Sequence, residues 1–246
     1  LSVERYPSID RVTADTSAPL PYTPAFAAER ERECCYHTKN RPMAHFTTRY
    51  GWTNDPNGLV YADGVYHLYY QHNPAGLAWG NMHWGHAVSG DLVHWCERGD
   101  VLYPDKNGAM FSGSGLADPA DHLGIRHGSD TPLLFYYTAA AHQSVLSRDG
   151  VTAQYLAYSA DGGRTLHKLP DPVIPGETDG NRDPKIIWCE ELGCYVCALY
   201  MAGNDYHLYR TGDLTHFTFL QKITLPNDSE CPDFYPLTCG GERFWI

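Results

Sequence analysis

Ser89-Gly90-Asp91-Leu92-Val93-His94-Trp95 returns twice further along the chain. Its counterparts are Ser159-Ala160-Asp161-Gly162-Gly163-Arg164-Thr165-Leu166 and Thr211-Gly212-Asp213-Leu214-Thr215-His216-Phe217. Each copy follows a β-rich run and precedes another short one. The Asp of such a turn bonds backbone amides two residues on, and the aromatic at its end can plug a space between sheets. A strand–turn unit recurring every 50 to 70 residues is the mark of propeller blades.

Working outward from these turns, the flanking segments read as short strands. Leu59–Tyr61, Asp63-Gly64 and Val65–Tyr70 form a hairpin signal, since Asp-Gly between β-rich runs favours a tight two-residue turn. Further runs are Leu133–Thr138, Gln154–Ser159, Lys185–Trp188, Tyr195–Tyr200 and His207–Tyr209. No long amphipathic helix is legible, so the expected class is all-β. Residues 1–40 read differently. Pro7, Pro19, Pro21 and Pro24 break any long element, and only Ala25–Cys35 suggests a short charged helix. The expected organisation is a linker, or the tail of a preceding module, over 1–40 and a partial propeller over 41–246. Three units do not close a ring, and Phe244-Trp245-Ile246 reads as a strand. The expectation is therefore about three to four blades, with later blades missing.

The bulk numbers narrow the function. The 246 residues carry a net charge of −11, which repels phosphate backbones and argues against nucleic-acid binding. No stretch approaches the length of apolar residues that a spanning helix needs. Residues 1–30 show no leader pattern, and the chain opens on Leu1, as a processed chain or a fragment would. Cytoplasmic and secreted settings both fit. The 18 Tyr and 6 Trp suit flat hydroxylated ligands, but a β-rich core uses the same residues. Eight cysteines are irregularly spaced. Cys189, Cys194 and Cys197 could be read as zinc ligands, but alternating strand positions more simply make them buried thiols, and the whole set favours a reducing compartment.

Three acidic motifs carry the chemistry: Trp52-Thr53-Asn54-Asp55-Pro56-Asn57-Gly58, Asn181-Arg182-Asp183-Pro184 and Ser229-Glu230-Cys231-Pro232-Asp233. Each is expected where a β run meets a turn. Pro after the acid, or one residue later, restricts the backbone and gives the carboxylate a defined aim. Asp118-Pro119 and Asp171-Pro172 read as ordinary turns. Placed on inner strands of three successive blades, Asp55, Asp183 and Glu230 would meet at one end of a channel. Clustered carboxylates repel, so at least one pKa should rise. Glycoside hydrolysis requires that contrast: one ionised carboxylate to attack, one protonated carboxyl to donate.

These motifs, with Phe111-Ser112-Gly113-Ser114 between the first two, resemble glycoside hydrolase family 32, which includes invertases, inulinases and levanases. The resemblance runs from about Arg41 to Ile246. It implies a five-bladed propeller, usually followed by a β-sandwich, and release of fructose from β-fructosides such as levan, inulin and sucrose. It gives Asp55 as nucleophile, Glu230 as acid/base and Asp183 as the residue that binds fructose hydroxyls and stabilises the transition state. Asn54, Gln71, Trp79, Phe111, Ser112 and Arg182 match pocket residues, and no metal or cofactor is implied. Tyr69–Pro74, Trp79–Trp95 and Leu156–Thr165 also resemble the exo-acting levanase or inulinase branch. The family usually has Met where this chain has Thr53. Competing readings are an arabinan- or xylan-acting propeller hydrolase, which lacks this pairing of motifs, and a sugar-binding unit without turnover. His83 and His86 are three apart, so on a strand they face opposite ways and make a poor metal pair. Trp79 and Trp84 can stack on sugar or pack between blades.

Overall fold

The computed structural model describes residues 41–42, 45–148, 150–226 and 230–246. The expected linker over 1–40 and the helix over Ala25–Cys35 lie outside them. The described residues contain strands and no helix. Among the described residues, no helix is long and apolar enough to cross a membrane.

Three four-stranded antiparallel sheets follow one another in chain order. The first contains β1 (Trp52–Ala62), β2 (Val65–Asn73), β3 (His83–Ser89) and β4 (Trp95–Leu102). The second contains β5 (Ala109–Ala117), β6 (Leu133–Ala140), β7 (Ala153–Ser159) and β8 (His167–Lys168). The third contains β9 (Arg182–Cys189), β10 (Cys194–Ala202), β11 (Asp205–Thr211) and β12 (Thr218–Thr224). A hairpin of β13 (Pro236–Cys239) and β14 (Glu242–Trp245) completes the described part. Each four-stranded sheet is an up-and-down meander, as propeller blades are. Every strand read from the sequence is present. The first hairpin turns on Asp63 (φ 50°) and Gly64 (φ 82°), both left-handed as its two-residue loop requires.

The repeated motif is the turn between the third and fourth strands of each blade. Ser89, Ser159 and Thr211 accept backbone amides through their hydroxyls, and Asp91, Asp161 and Asp213 each accept two more through Oδ1. The third position after the hydroxyl residue is left-handed in all three copies: Leu92 (φ 65°), Gly162 (φ 67°) and Leu214 (φ 67°). Two of these turns are held by the blade before them. Tyr69 of β2 donates to Gly163 O (3.2 Å), and Tyr136 of β6 donates to Leu214 O (2.8 Å).

The core lies between blades. β6 is buried on both faces. Leu133, Phe135 and Tyr137 pack against Tyr69, Trp84 and Leu102 of the first blade, while Leu134 and Tyr136 pack against Ile186 and Leu214 of the third. Each fully buried aromatic or leucine contributes about 1.5–3 kcal/mol over exposure. Phe217, at the end of the third repeat, stacks edge-on against Tyr136 at 5.7 Å, as its plugging role predicts. Phe234 and Trp245 carry the last hairpin onto the Cys189, Val196 and Leu208 cluster of the third blade. Trp84 is fully buried in the first interface and so packs between blades. Cys189 and Cys197 are buried and Cys194 half-buried.

The first strands of the blades stand side by side. Ser114 Oγ of β5 donates to Pro184 O of β9 (2.8 Å) and accepts from Ile186 N (3.0 Å). A Cβ on Gly115 would sit 2.7 Å from Gly58 O, so β1 and β5 approach at a distance only glycine permits.

Candidate active site

Each inner strand breaks register at the same place. The irregularity falls between Thr53 and Pro56 in β1, between Met110 and Gly113 in β5, and between Arg182 and Lys185 in β9. A bulge re-aims a side chain and tolerates proline in a strand. Asp55, Ser112 and Asp183 occupy these bulges, with Pro56 and Pro184 just behind the two acids. Asp183 is the second residue of β9 and follows a turn, as expected from sequence, whereas Asp55 lies four residues into β1 and Glu230 lies outside any strand. A second correction concerns blade order. Asp55 and Asp183 come from the first and third blades, with Ser112 on the blade between, and Glu230 lies on the segment leading from β12 to β13.

A cleft of about 380 Å³ runs beside these bulges, lined by Asp55, Ser112, Asp183, Lys185, Cys231, Asp233 and their neighbours in the chain. Ser112 Oγ donates to Asp55 Oδ2 (2.7 Å). Asn57 lies buried behind them. With its oxygen turned to accept from Gln71 Nε2 (3.0 Å), its nitrogen donates to Ser112 Oγ (3.3 Å). Asp183 is held on both sides: its amide donates to Thr138 Oγ1 (3.0 Å), and its Oδ2 accepts from Cys231 N (3.1 Å). The Cys231 thiol stands between the two aspartates, 3.6 Å from Asp183 Oδ2 and 3.8 Å from Asp55 Oδ2. Asp183 (φ 63°) and Cys231 (φ 52°) are both left-handed, a strained backbone of the kind that packing must hold in place.

Asp183 is only 6% exposed. Burial pushes its carboxyl up to about 6, against the lowering influence of Cys231 N and Arg182, and Glu230 adds to the rise. The expected raised carboxyl is thus found, but its first cause is desolvation and repulsion between acids is secondary. Burial and the two acids push the Cys231 thiol up as well.

The remaining predicted residues do not line this cleft. Arg182 joins two of the acids, 3.2 Å from Glu230 Oε1 through Nη2 and 3.7 Å from Asp183 Oδ2 through Nε. Its guanidinium lies 4.4 Å over the Tyr200 ring. Burial opposes its charge, but Glu230, Asp183 and Tyr200 together outweigh burial, so its pKa is raised. Glu230 has 64% of its side chain open to solvent. Asn54 Oδ1 accepts from the Trp52 indole (2.9 Å), and Trp79 is exposed with its ring edge-on to Phe111 at 5.9 Å. Gln71 is buried and donates to Met110 O (2.8 Å). Sequence reasoning missed Asn57, Thr138 and Cys231 as parts of the site. Asn57 and Cys231 lie inside the motifs that carry Asp55 and Glu230, which was the available signal; Thr138 offered none. Asp118, expected as a turn residue, caps a loop by accepting from His122 N (2.7 Å).

A family model described as "Glycosyl hydrolases family 32 N-terminal domain" matches residues 45–244. The chain belongs to that family. Among its family 32 relatives, a levanase of Bacillus subtilis (strain 168) is 40% identical over 235 residues, covering 91% of this chain and 33% of the levanase. An invertase of Schizosaccharomyces pombe is 35% identical, covering 86% and 38%. Among solved structures, exo-inulinase from Aspergillus awamori superposes with a TM-score of 0.76 at 31% identity, covering 86% of this chain and 46% of that one. Fructofuranosidase from Schwanniomyces occidentalis complexed with fructose gives 0.75 at 32% identity, covering 84% and 42%. The chain thus spans a third to under half of the length of these family 32 proteins, and its three meanders are part of a β-propeller.

Proposed function

We propose that this chain carries the catalytic centre of a retaining fructosidase that releases fructose from β-fructosides such as levan, inulin and sucrose, and that residues 41–246 form its propeller segment. The observation that carries the reading is the convergence of Asp55, Asp183 and the Glu230-Cys231 segment around one cleft. The relatives' names, levanase, invertase and exo-inulinase, agree with it.

In this mechanism an Asp55 oxygen attacks the anomeric carbon of fructose while Ser112 holds the carboxylate in aim. The bond to the leaving oxygen breaks as Glu230 gives it a proton. Glu230 then takes a proton from water, and that water displaces Asp55 with the original configuration restored. Retention requires the two carboxyl groups to act from about 5–5.5 Å apart. Asp183, fixed by Thr138 and Cys231, binds fructose hydroxyls and, when ionised, favours the cation-like transition state. Arg182 orients Glu230. Asn54, Trp79 and Phe111 lie outside the cleft lining and receive the rest of the sugar, Trp79 with an open aromatic face, while the buried Gln71 acts from behind by holding Met110 O (2.8 Å).

The test is fructose release from sucrose, inulin and levan by the full natural protein and its Asp55→Asn variant. Asparagine keeps the size and removes the attacking charge. The expected loss is about 10³-fold or more in kcat, with the preferred polymer naming the specificity. Equal release by both proteins, or none by either, overturns the assignment and leaves sugar binding without turnover.

A further inference from the structure

Gln71, His72 and Asn73 close β2 and are all buried, at 2%, 7% and 1% exposure. Each grips a different wall of the pocket. Gln71 holds Met110 O, just before Phe111 and Ser112. Asn73 donates to Ala78 O (2.9 Å) and accepts from Ala75 N (3.1 Å), which shapes the loop carrying Trp79. His72, between them, holds the chain as it enters β1. Its Nε2 lies 2.8 Å from Tyr50 O, and its Nδ1 lies 2.6 Å from Asp100 Oδ1.

Both partners of the His72 ring are acceptors. A carbonyl oxygen and a carboxylate oxygen cannot donate, so both ring nitrogens must carry hydrogen, which is the imidazolium form. The groups facing it fit that state. Asp100 of β4 is the counter-charge, and Glu97 of β4 adds a second negative field. Tyr70 packs its ring edge-on at 5.6 Å. His83 of β3, pushed down by burial, lies close enough to feel both Asp100 and His72. Burial opposes the charge on His72, but Asp100, the Tyr50 carbonyl and Glu97 together outweigh it, so the pKa is raised. The chain crosses directly over the imidazole. Gly51 has φ +92°, and a Cβ there would sit 2.3 Å from Asn73 O and 2.9 Å from His72 Nε2.

We propose that His72 and Asp100 are a buried, charged positioning pair that holds the Trp52–Asp55 wall of the sugar pocket, and that the pocket loosens when His72 loses its proton. The inference rests on the fructosidase reading of that pocket. A histidine whose folded pKa is raised stabilises fully below its unfolded value, about 6.5, and the benefit is lost as pH rises through the folded pKa. Sugar affinity therefore weakens on the alkaline side.

The test measures kcat and KM for sucrose from about pH 5 to about pH 9, and the Kd of fructose by calorimetry, in the full natural protein and in His72→Gln and Asp100→Asn. In the parent, KM and Kd should rise about 3- to 10-fold toward high pH, the scale of one weakened charge-assisted hydrogen bond, with kcat less affected. His72→Gln, an uncharged donor, should show the raised KM at every pH with no alkaline limb. Asp100→Asn should move that limb to lower pH. A parent-like alkaline limb in His72→Gln overturns the proposal, and so does lowered thermal stability with KM unchanged. If the parent binds fructose without turnover, the catalytic reading falls and the Kd profiles alone decide the pair. If it neither binds nor releases fructose, both are overturned.

Discussion

Asp183 is the acid whose surroundings act most strongly against its own charge. Its carboxyl, raised from 3.8 to about 6, binds a proton in the folded chain over a pH range where the unfolded chain has released it. Stability therefore falls as pH rises from about 4 to about 6, and the deficit, about 3 kcal/mol, persists above that window. Asp183→Asn should raise the melting temperature at neutral pH more than at about pH 4, while abolishing fructose release. Equal gains at both pH values would show that ionisation of Asp183 carries no such cost. At this scale the acids were legible because proline follows each of them and narrows the conformations available. Cys231 was not, because its importance comes from contacts with residues on two other blades and from a left-handed backbone. Neither can be read from local sequence, which shows only that Cys231 follows Glu230.

The repeated Ser/Thr-x-Asp turn works at the scale of the element. Its hydrogen bonds are local, so turn chemistry alone made it visible in the sequence. Its docking onto the neighbouring blade is not local, and only the structure reveals Tyr69 and Tyr136 as the residues that grip it. Tyr136→Phe removes the bond to Leu214 O and leaves a buried carbonyl without that donor. Urea denaturation should report a loss of about 1–2 kcal/mol, with the slope of the transition unchanged. No loss would mean that packing, not this bond, joins the second and third blades. β5 was the inner strand that sequence patterning passed over. Gly113 and Gly115 have low strand propensity, and close backbone approach requires them: a Cβ on Gly113 would sit 1.9 Å from Tyr136 O of β6, and one on Gly115 2.7 Å from Gly58 O of β1.

At the scale of the molecule, the spacing between inner strands sets the width of the cleft. Gly115→Ala would place a methyl group 2.7 Å from Gly58 O and push β1 away from β5. Overpacking of this kind costs about 1–3 kcal/mol, and here it also separates Ser112 from Asp55. The variant should lose both melting temperature and fructose release, whereas unchanged kinetics would show that the cleft tolerates a wider ring. Blade count lies beyond the reach of local patterning, because it depends on how sheets close on one another. The repeat period announced a propeller, and the described residues supply three full blades and a hairpin of it.

The candidate acids are spread along the chain in an order that has a consequence for synthesis. A ribosome delivers Asp55 with the first blade, Ser112 with the second, Asp183 with the third, and Glu230 only after that. Until the segment carrying Glu230 and Cys231 has docked, the emerging polypeptide holds Asp55 without the residue proposed as its proton donor. On the mechanism proposed above, a growing chain is silent toward sugar until the Glu230–Cys231 segment has docked.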